Sequence, residues 1–233
     1  MFVVATYYDK EKSRIRETIE SITKFHPKEK VIICDSDSPD KSYADDLVST
    51  KVKFFDAKNK RRPFGALMET YKKYPKEKYY VLVHDTVNLN SSIQEFIDAD
   101  NPLTVFGHAI WPIGLLVPEI REEYFHWMHE LMRNTDYDFI SNIREDQSYS
   151  LCFGSMGIYK NELLKTFFDK GLYEHFNSYT FNEGQFSERA IGYIAKIEGI
   201  DVSKHSIEGD VCAVWDDMVN GKLKYFRKTF GGR

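Results

Sequence analysis

Three polar stretches in this sequence follow apolar runs, and each carries residues able to bind a phosphorylated ligand. Thr6, Tyr7 and Tyr8 end the run that begins at Phe2; Asp35, Ser36, Asp37 and Ser38 follow Lys30–Cys34; His84, Asp85 and Thr86 follow Tyr79–Val83. Asp35 and Asp37 can accept hydrogen bonds from a base or ribose, or close an Asx-type turn that caps the next element. A carboxylate directly after an apolar strand, as Asp85 is, either caps a helix or holds Mg²⁺ or Mn²⁺, and such an ion would neutralise a diphosphate. His205, near the end of a later short strand, is either a structural histidine or the ligand that completes a metal site with Asp85.

Further candidates lie in the second half. Glu183, in Asn182-Glu183-Gly184-Gln185-Phe186-Ser187-Glu188-Arg189, sits at a helix start. There a carboxylate is favoured by the helix dipole, or serves as a general base toward an attacking hydroxyl; Glu188 and Asp85 are next in line for that task. Gly154, Ser155 and Met156 either form a tight turn or let backbone approach an acceptor closely. In the basic, aromatic tail, Arg227, Lys228 and Arg233 either close over a diphosphate as a mobile arm or belong to a solvated terminus. Arg62, in Lys60-Arg61-Arg62, carries the same two readings for the nucleotide.

The elements that must position these residues alternate. Strands are expected at Phe2–Tyr8, Lys30–Cys34, Val52–Phe55 and Tyr79–Val83, with helices at Lys10–Phe25 and Phe64–Tyr74; Ile15, Ile19, Ile22 and Phe25 share helical spacing. Strand–helix alternation with short links specifies a parallel sheet covered on both faces. Ligands of such sheets collect at the carboxyl ends of the strands, where the three polar stretches fall. The second half is less regular: strands at Leu103–Ile110, Gly154–Tyr159, Val202–Ser206 and Val211–Trp215, and helices at Val117–Arg133, Asn161–Phe168 and Glu183–Glu198. No Gly/Ser/Pro-rich linker divides the 233 residues, so one domain is expected, with a nucleotide-binding half over about 1–100 and an acceptor-binding half over about 101–233.

Composition excludes other classes. Hydrophobic residues make up 42% and charged residues 29%, an ordinary globular balance, and a net charge of −4 supplies no basic field for nucleic acid. No apolar run reaches the roughly 18 residues of a membrane span. The N-terminal residues lack the pattern of a signal peptide, and Cys34, Cys152 and Cys212 fit no zinc spacing or disulfide framework. A cytoplasmic protein is the expectation. Neither a Walker A sequence nor G-x-G-x-x-G occurs, which removes the main support for P-loop and dinucleotide-binding readings.

Taken together, four stretches resemble the GT-A-fold glycosyltransferases, particularly the family-2-like enzymes that use nucleotide-sugar donors. The first strand with Thr6-Tyr7-Tyr8 is similar to the family's opening strand and nucleotide loop. Cys34-Asp35-Ser36-Asp37-Ser38-Pro39-Asp40 resembles the acidic turn V-D-D-G-S-x-D, whose acids contact the base. Tyr80–Thr86 occupies the place of the D-x-D strand, which binds metal and diphosphate. Asn182-Glu183-x-x-Phe186-x-x-Arg189 follows E-D-x-x-L-x-x-R, which carries the catalytic base, and Glu183 falls on the base position.

The resemblance implies a GT-A (Rossmann-like) α/β fold with a mixed, mainly parallel sheet flanked by helices. It also implies transfer of a sugar from a nucleotide-diphosphate donor, such as a UDP-sugar, to a carbohydrate or glycan hydroxyl. Thr6, Tyr7, Tyr8, Asp35, Asp37, Arg62, His84 and Asp85 would hold the nucleotide, with Mn²⁺ or Mg²⁺ as cofactor, and a base opposite the leaving group gives inversion. Two alternatives stand beside it: a non-catalytic nucleotide- or sugar-binding module, and a sugar nucleotidyltransferase. The latter wants a Gly-rich basic loop after the first strand, which Thr6-Tyr7-Tyr8-Asp9 does not supply.

Overall fold

The computed structural model describes residues 1–58, 62–111, 118–138, 149–176 and 181–229; the side chains of 62, 111, 118–121, 123, 124 and 181–183 also lie outside that description. The elements run β1 (Phe2–Thr6), α1 (Ile15–Phe25), β2 (Val31–Asp35), β3 (Val52–Asp56), α2 (Arg62–Lys73), β4 (Tyr79–His84), β5 (Val87–Leu89), α3 (Gln94–Asp98), β6 (Leu103–Val105) and β7 (His108–Trp111). There follow α4 (Pro118–Met132), β8 (Tyr149–Cys152), a 3₁₀ turn (Phe153–Ser155), β9 (Gly157–Lys160), α5 (Asn161–Asp169), α6 (Leu172–His175), α7 (Phe181–Ile197), α8 (Trp215–Val219) and β10 (Phe226–Lys228).

The main sheet has the order β3-β2-β1-β4-β9-β6. Its first four strands are parallel, and β9 enters antiparallel between β4 and β6. Strands from both halves of the chain therefore share one sheet. Successive side chains point to opposite faces, and the apolar runs of β1, β2 and β4 fill both. Val3, Ala5, Ile32, Cys34, Tyr80 and Leu82 pack with Phe64, Leu67, Met128, Leu163, Phe167 and Ile191 on one side. Phe2, Val4, Val31, Ile33, Val81 and Val83 pack with Ile15, Ile19, Ile22, Ile93, Phe106 and Phe226 on the other. Buried on both faces, these strands read as continuous apolar segments, which is why they were legible. Cys34 and Cys152 are buried and unpaired, and burial pushes each thiol up to about 12. No helix among the described residues is long and apolar enough to cross a membrane.

Several expectations are corrected. Helix α1 begins at Ile15 rather than Lys10, because Arg14 donates its backbone N–H to the Asp85 carbonyl and the residues before it loop over the sheet end. The expected strand Leu103–Ile110 is two strands in different sheets, β6 and β7, broken at Gly107. A Cβ there would lie 2.3 Å from Val211 Cγ1, so the bend needs glycine. Val202–Ser206 and Val211–Trp215 are not strands. Only isolated bridges form, Val105 with Ser206 and His108 with Asp210, and Trp215 opens a helix. Through Thr229, the tail is tied to a sheet edge rather than left as a solvated terminus. Phe226–Lys228 pair antiparallel with β5, and Phe226 is fully buried against Phe106, ring centroids 5.3 Å apart.

Helix α7 packs on β8, the 3₁₀ turn and α4. It comes close because it carries Gly192 at the crossing. A Cβ at Gly192 would lie 2.2 Å from the Ser150 carbonyl oxygen and 2.7 Å from Leu151 Cα. Gly→Ala inside a helix ordinarily stabilises by up to about 1 kcal/mol. Here the sign should reverse: G192A is expected to destabilise by about 1–3 kcal/mol through overpacking, read from the urea midpoint at constant m-value.

Candidate functional site

The parallel registers set Thr6 beside Asp35, Asp35 beside Asp56 and Ala5 beside His84. The carboxyl ends of four strands thus form one rim. Because β9 runs the other way, with Gly157 beside Leu82, it brings Gly154, Ser155 and Met156 to the same rim. Of the sequence-derived site residues, Thr6, Tyr7, Tyr8, Asp35, Asp37, His84, Asp85 and this turn are gathered here.

Asp85 is 2% exposed, and its Oδ2 accepts hydrogen bonds from Thr6 Oγ1 and Ser13 Oγ, both at 2.7 Å. A buried carboxylate is tolerated only with such partners. The carboxylate thereby fastens the end of β4 to the end of β1 and to the loop entering α1. Asp35 is likewise inside the protein. Its Oδ1 accepts the Ser38 backbone N–H at 2.7 Å, and its Oδ2 accepts the hydroxyls of Ser38 at 2.5 Å and Tyr43 at 2.6 Å. This is the turn-closing role. Asp37 is exposed, as Asp40 is, and adopts φ +70°, a left-handed conformation that Asp visits more readily than most residues. It stands where the family pattern has glycine, which explains how the turn forms without one. Tyr8 stacks on Tyr43 with centroids 4.3 Å apart and planes at 14°, and Tyr7 beside it is 44% exposed, so this end of the rim presents aromatic surface.

The other end is built around His84. Its Nε2 lies 2.8 Å from the Gly154 carbonyl oxygen, which only accepts, so Nε2 carries a proton. Nδ1 lies 3.1 Å from Lys228 Nζ and, in the tautomer this fixes, accepts from the ammonium. Lys228 Nζ is also 3.5 Å from Thr86 Oγ1. Gly154 adopts φ +62°, and a Cβ there would sit 3.0 Å from His84 Cε1. Both facts demand glycine at this place. The Gly154 backbone N–H donates to the Glu188 carboxylate of α7. Burial pushes that carboxyl up to about 7, against the pull of the Gly154 N–H, Arg189 and Lys228.

Some expected partners are not brought together. His205 donates nothing to the His84–Asp85 corner. Its backbone carbonyl accepts from Val105, at the far edge of the sheet beyond β9 and β6. Three ladder steps separate it from Asp85's strand, about 14 Å. Among the described residues, no group of three His, Cys, Asp or Glu is placed to hold a metal ion. Glu183 lies in the first turn of α7, but its side chain, that of Arg62, and all of Arg233 are outside the described residues. Arg227 is exposed. It lines, with Lys228, Arg14, Glu17 and Gly221, an open cleft of about 520 Å³ beside the rim. Sequence reasoning missed Ser13 and Tyr43 as members of the rim network, and it named Glu188 as an alternative base without its bond to Gly154. Ser13 and Tyr43 carry no local signal, since their partners are 72 and 8 residues away.

No family model matches the sequence, and no curated protein matches it significantly. Solved structures do. GalNAc-T7, solved with UDP, GalNAc and Mn²⁺, superposes on 81% of this chain with a TM-score of 0.50 at 13% identity. S. aureus TarS 1-349 in complex with UDP superposes on 81% at 18% identity, with a TM-score of 0.44. This chain spans 40% of the GalNAc-T7 chain and 54% of the TarS chain. The sheet order, the parallel registers and the likeness to GalNAc-T7 establish the fold as the mixed α/β architecture of the GT-A glycosyltransferases.

Glu188 makes stability depend on pH in a definite direction. Its folded value, about 7, lies above the ordinary 4.5, so the folded protein keeps this proton where the unfolded chain has released it. That contribution is complete below about pH 4.5 and is lost as pH rises through 7. The wild-type melting temperature should therefore fall relative to that of E188Q between pH 4.5 and 7.5, read by calorimetry on both proteins.

Proposed function

We propose that this protein is a glycosyltransferase that moves a sugar from a nucleotide-diphosphate donor to a carbohydrate hydroxyl with inversion. The observation that carries the reading is the shared rim. An aromatic end at Tyr7, Tyr8 and Tyr43 suits a base, and a cationic end at His84, Thr86 and Lys228 suits phosphates, on the strand ends where α/β sheets take ligands. GalNAc-T7 was solved with UDP and GalNAc, so UDP-sugars are the donors to test first.

In the reaction the bond from the anomeric carbon to the diphosphate breaks, and its electron pair leaves with the diphosphate oxygen. The acceptor oxygen bonds to that carbon from the opposite face, and its proton passes to a carboxylate. Glu183 is our assignment for that carboxylate, on the motif spacing and its place in the first turn of α7. Glu188, held on the Gly154 N–H, fixes the turn that would face the acceptor and is the competing acid. Asp37, Arg62 and Arg227 are assigned to nucleotide or diphosphate contacts by position alone. A Mn²⁺ or Mg²⁺ ion finds no ready-made ligand set here: Asp85 Oδ2 accepts two hydroxyl protons, an ammonium stands beside His84, and among the described residues no group of three His, Cys, Asp or Glu is placed to hold a metal ion.

A nucleoside diphosphate from the set UDP, GDP, dTDP and CDP should raise the melting temperature, adding about 2.7 kcal/mol at 100 Kd. E183Q should keep that shift and lose about 10²- to 10⁴-fold in transfer rate. Radiolabelled sugar transfer by E183Q and E188Q in parallel reads the assignment. Full activity in E183Q with loss in E188Q would move the base to Glu188.

A further inference from the structure

The place assigned from sequence to a divalent ion is the corner formed by His84, Asp85 and Thr86. We infer that the side chain of Lys228, delivered from β10, is the cation of this corner and meets the donor diphosphate without a metal. The inference rests on the nucleotide-sugar reading above and names how that site neutralises its ligand.

Three features argue for it. The first is how the acceptor atoms of the corner are used. Asp85 Oδ2 accepts from two hydroxyls in a residue that is 2% exposed. Coordinating an ion with that oxygen would turn Thr6 and Ser13 away and loosen the junction of β1, α1 and β4. The lone pair on His84 Nδ1, the nitrogen otherwise available to a metal, faces Lys228 Nζ at 3.1 Å. A dication brought here would displace or repel an ammonium already seated.

The second is the anchoring of Lys228. It is not a long side chain on a loose terminus. Its backbone lies opposite Val87 in the β5–β10 ladder, the next residue, Thr229, donates its N–H to the Thr86 carbonyl at 2.9 Å, and Phe226, two residues earlier, is fully buried. Phosphate binding by a positioned ammonium loses less side-chain freedom than binding by a free one. Lys228 Nζ is held on His84 Nδ1 at 3.1 Å, and its long 3.5 Å contact with Thr86 Oγ1 is the one a phosphate oxygen would replace.

The third is the surrounding field. Arg14 and Arg227 join Lys228 on the wall of the adjoining cleft, with Glu17 as the acid of that wall. As the anomeric bond breaks, the electron pair moves onto the leaving diphosphate oxygen. A fixed cation stabilises that charge without any transfer of its own proton. The atoms and charges balance with the acceptor proton going to the carboxylate assigned above.

The experiment measures binding of UDP, GDP, dTDP, CDP and the matching nucleosides by calorimetry. It uses wild type, K228Q and K228R, each in EDTA and in Mn²⁺. The expected result is a diphosphate affinity in wild type that EDTA leaves unchanged, a loss of tenfold or more in K228Q with no rescue by Mn²⁺, partial retention in K228R, and nucleoside affinity equal in all three. A diphosphate that binds wild type only with Mn²⁺, or binds K228Q as tightly as wild type, overturns the inference and leaves the nucleotide-sugar reading standing. Absence of binding by every nucleotide under both conditions overturns that reading and this inference with it. Melting curves of K228Q and K228R without ligand separate loss of the cation from loss of the fold. If K228Q melts far below K228R, the charge-retaining variant decides: diphosphate binding by K228R supports the inference, and its failure to bind overturns it.

Discussion

Everything at the carboxyl end of the sheet depends on one buried carboxylate. Asp85 has to be satisfied inside the protein, and the two hydroxyls that satisfy it come from the end of β1 and from the loop before α1. A single oxygen thus ties together three segments by their side chains at the point where the β1–β4 ladder ends. The backbone adds to it: Asp85 donates its N–H to Ala5 and accepts from Arg14. A residue that reads in one dimension as a ligand is, in three, the fastening of the ligand site. The burial of Asp35 under Ser38 and Tyr43 repeats this arrangement two strands over.

This division explains which parts were legible. The strands β1, β2 and β4 and their order follow from apolar runs buried on both faces, a signal written locally in each segment. The rim followed as well, since polar residues after such runs must fall at strand ends. The edges of the sheet did not follow. β5 and β10 are three residues each, too short for periodicity, and they exist because Phe226 finds Phe106 and because Asn88 and Arg227 face each other across the ladder. The segment after Leu103 failed for the opposite reason: one apolar run serves two sheets, and it divides at Gly107, where a Cβ would run into Val211. Spacing also gave Glu188 a place one turn after Glu183, but not its hydrogen bond to Gly154, which requires α7 to lie against β8 through Gly192.

The likeness to the GT-A architecture lies in the parallel strands and the position of the rim. The departures lie in what fills it. The turn after β2 has an aspartate in the left-handed conformation where the pattern places glycine, and the corner after β4 carries one acid, one histidine and an ammonium brought in from the opposite end of the sequence. At Asp37 a left-handed aspartate closes the turn, and at the corner a lysine side chain brings positive charge beside His84.

The contact between Lys228 and His84 spans 144 residues of sequence, and the ladder that carries it is only three residues long. Short edge ladders open at far lower free energy than central strands. The corner can therefore come apart while the sheet beneath it stays intact, so occupancy of the phosphate region and closure of this last ladder are linked equilibria. A bound anion would slow amide hydrogen exchange first in β10 and β5, leaving the core strands as they were.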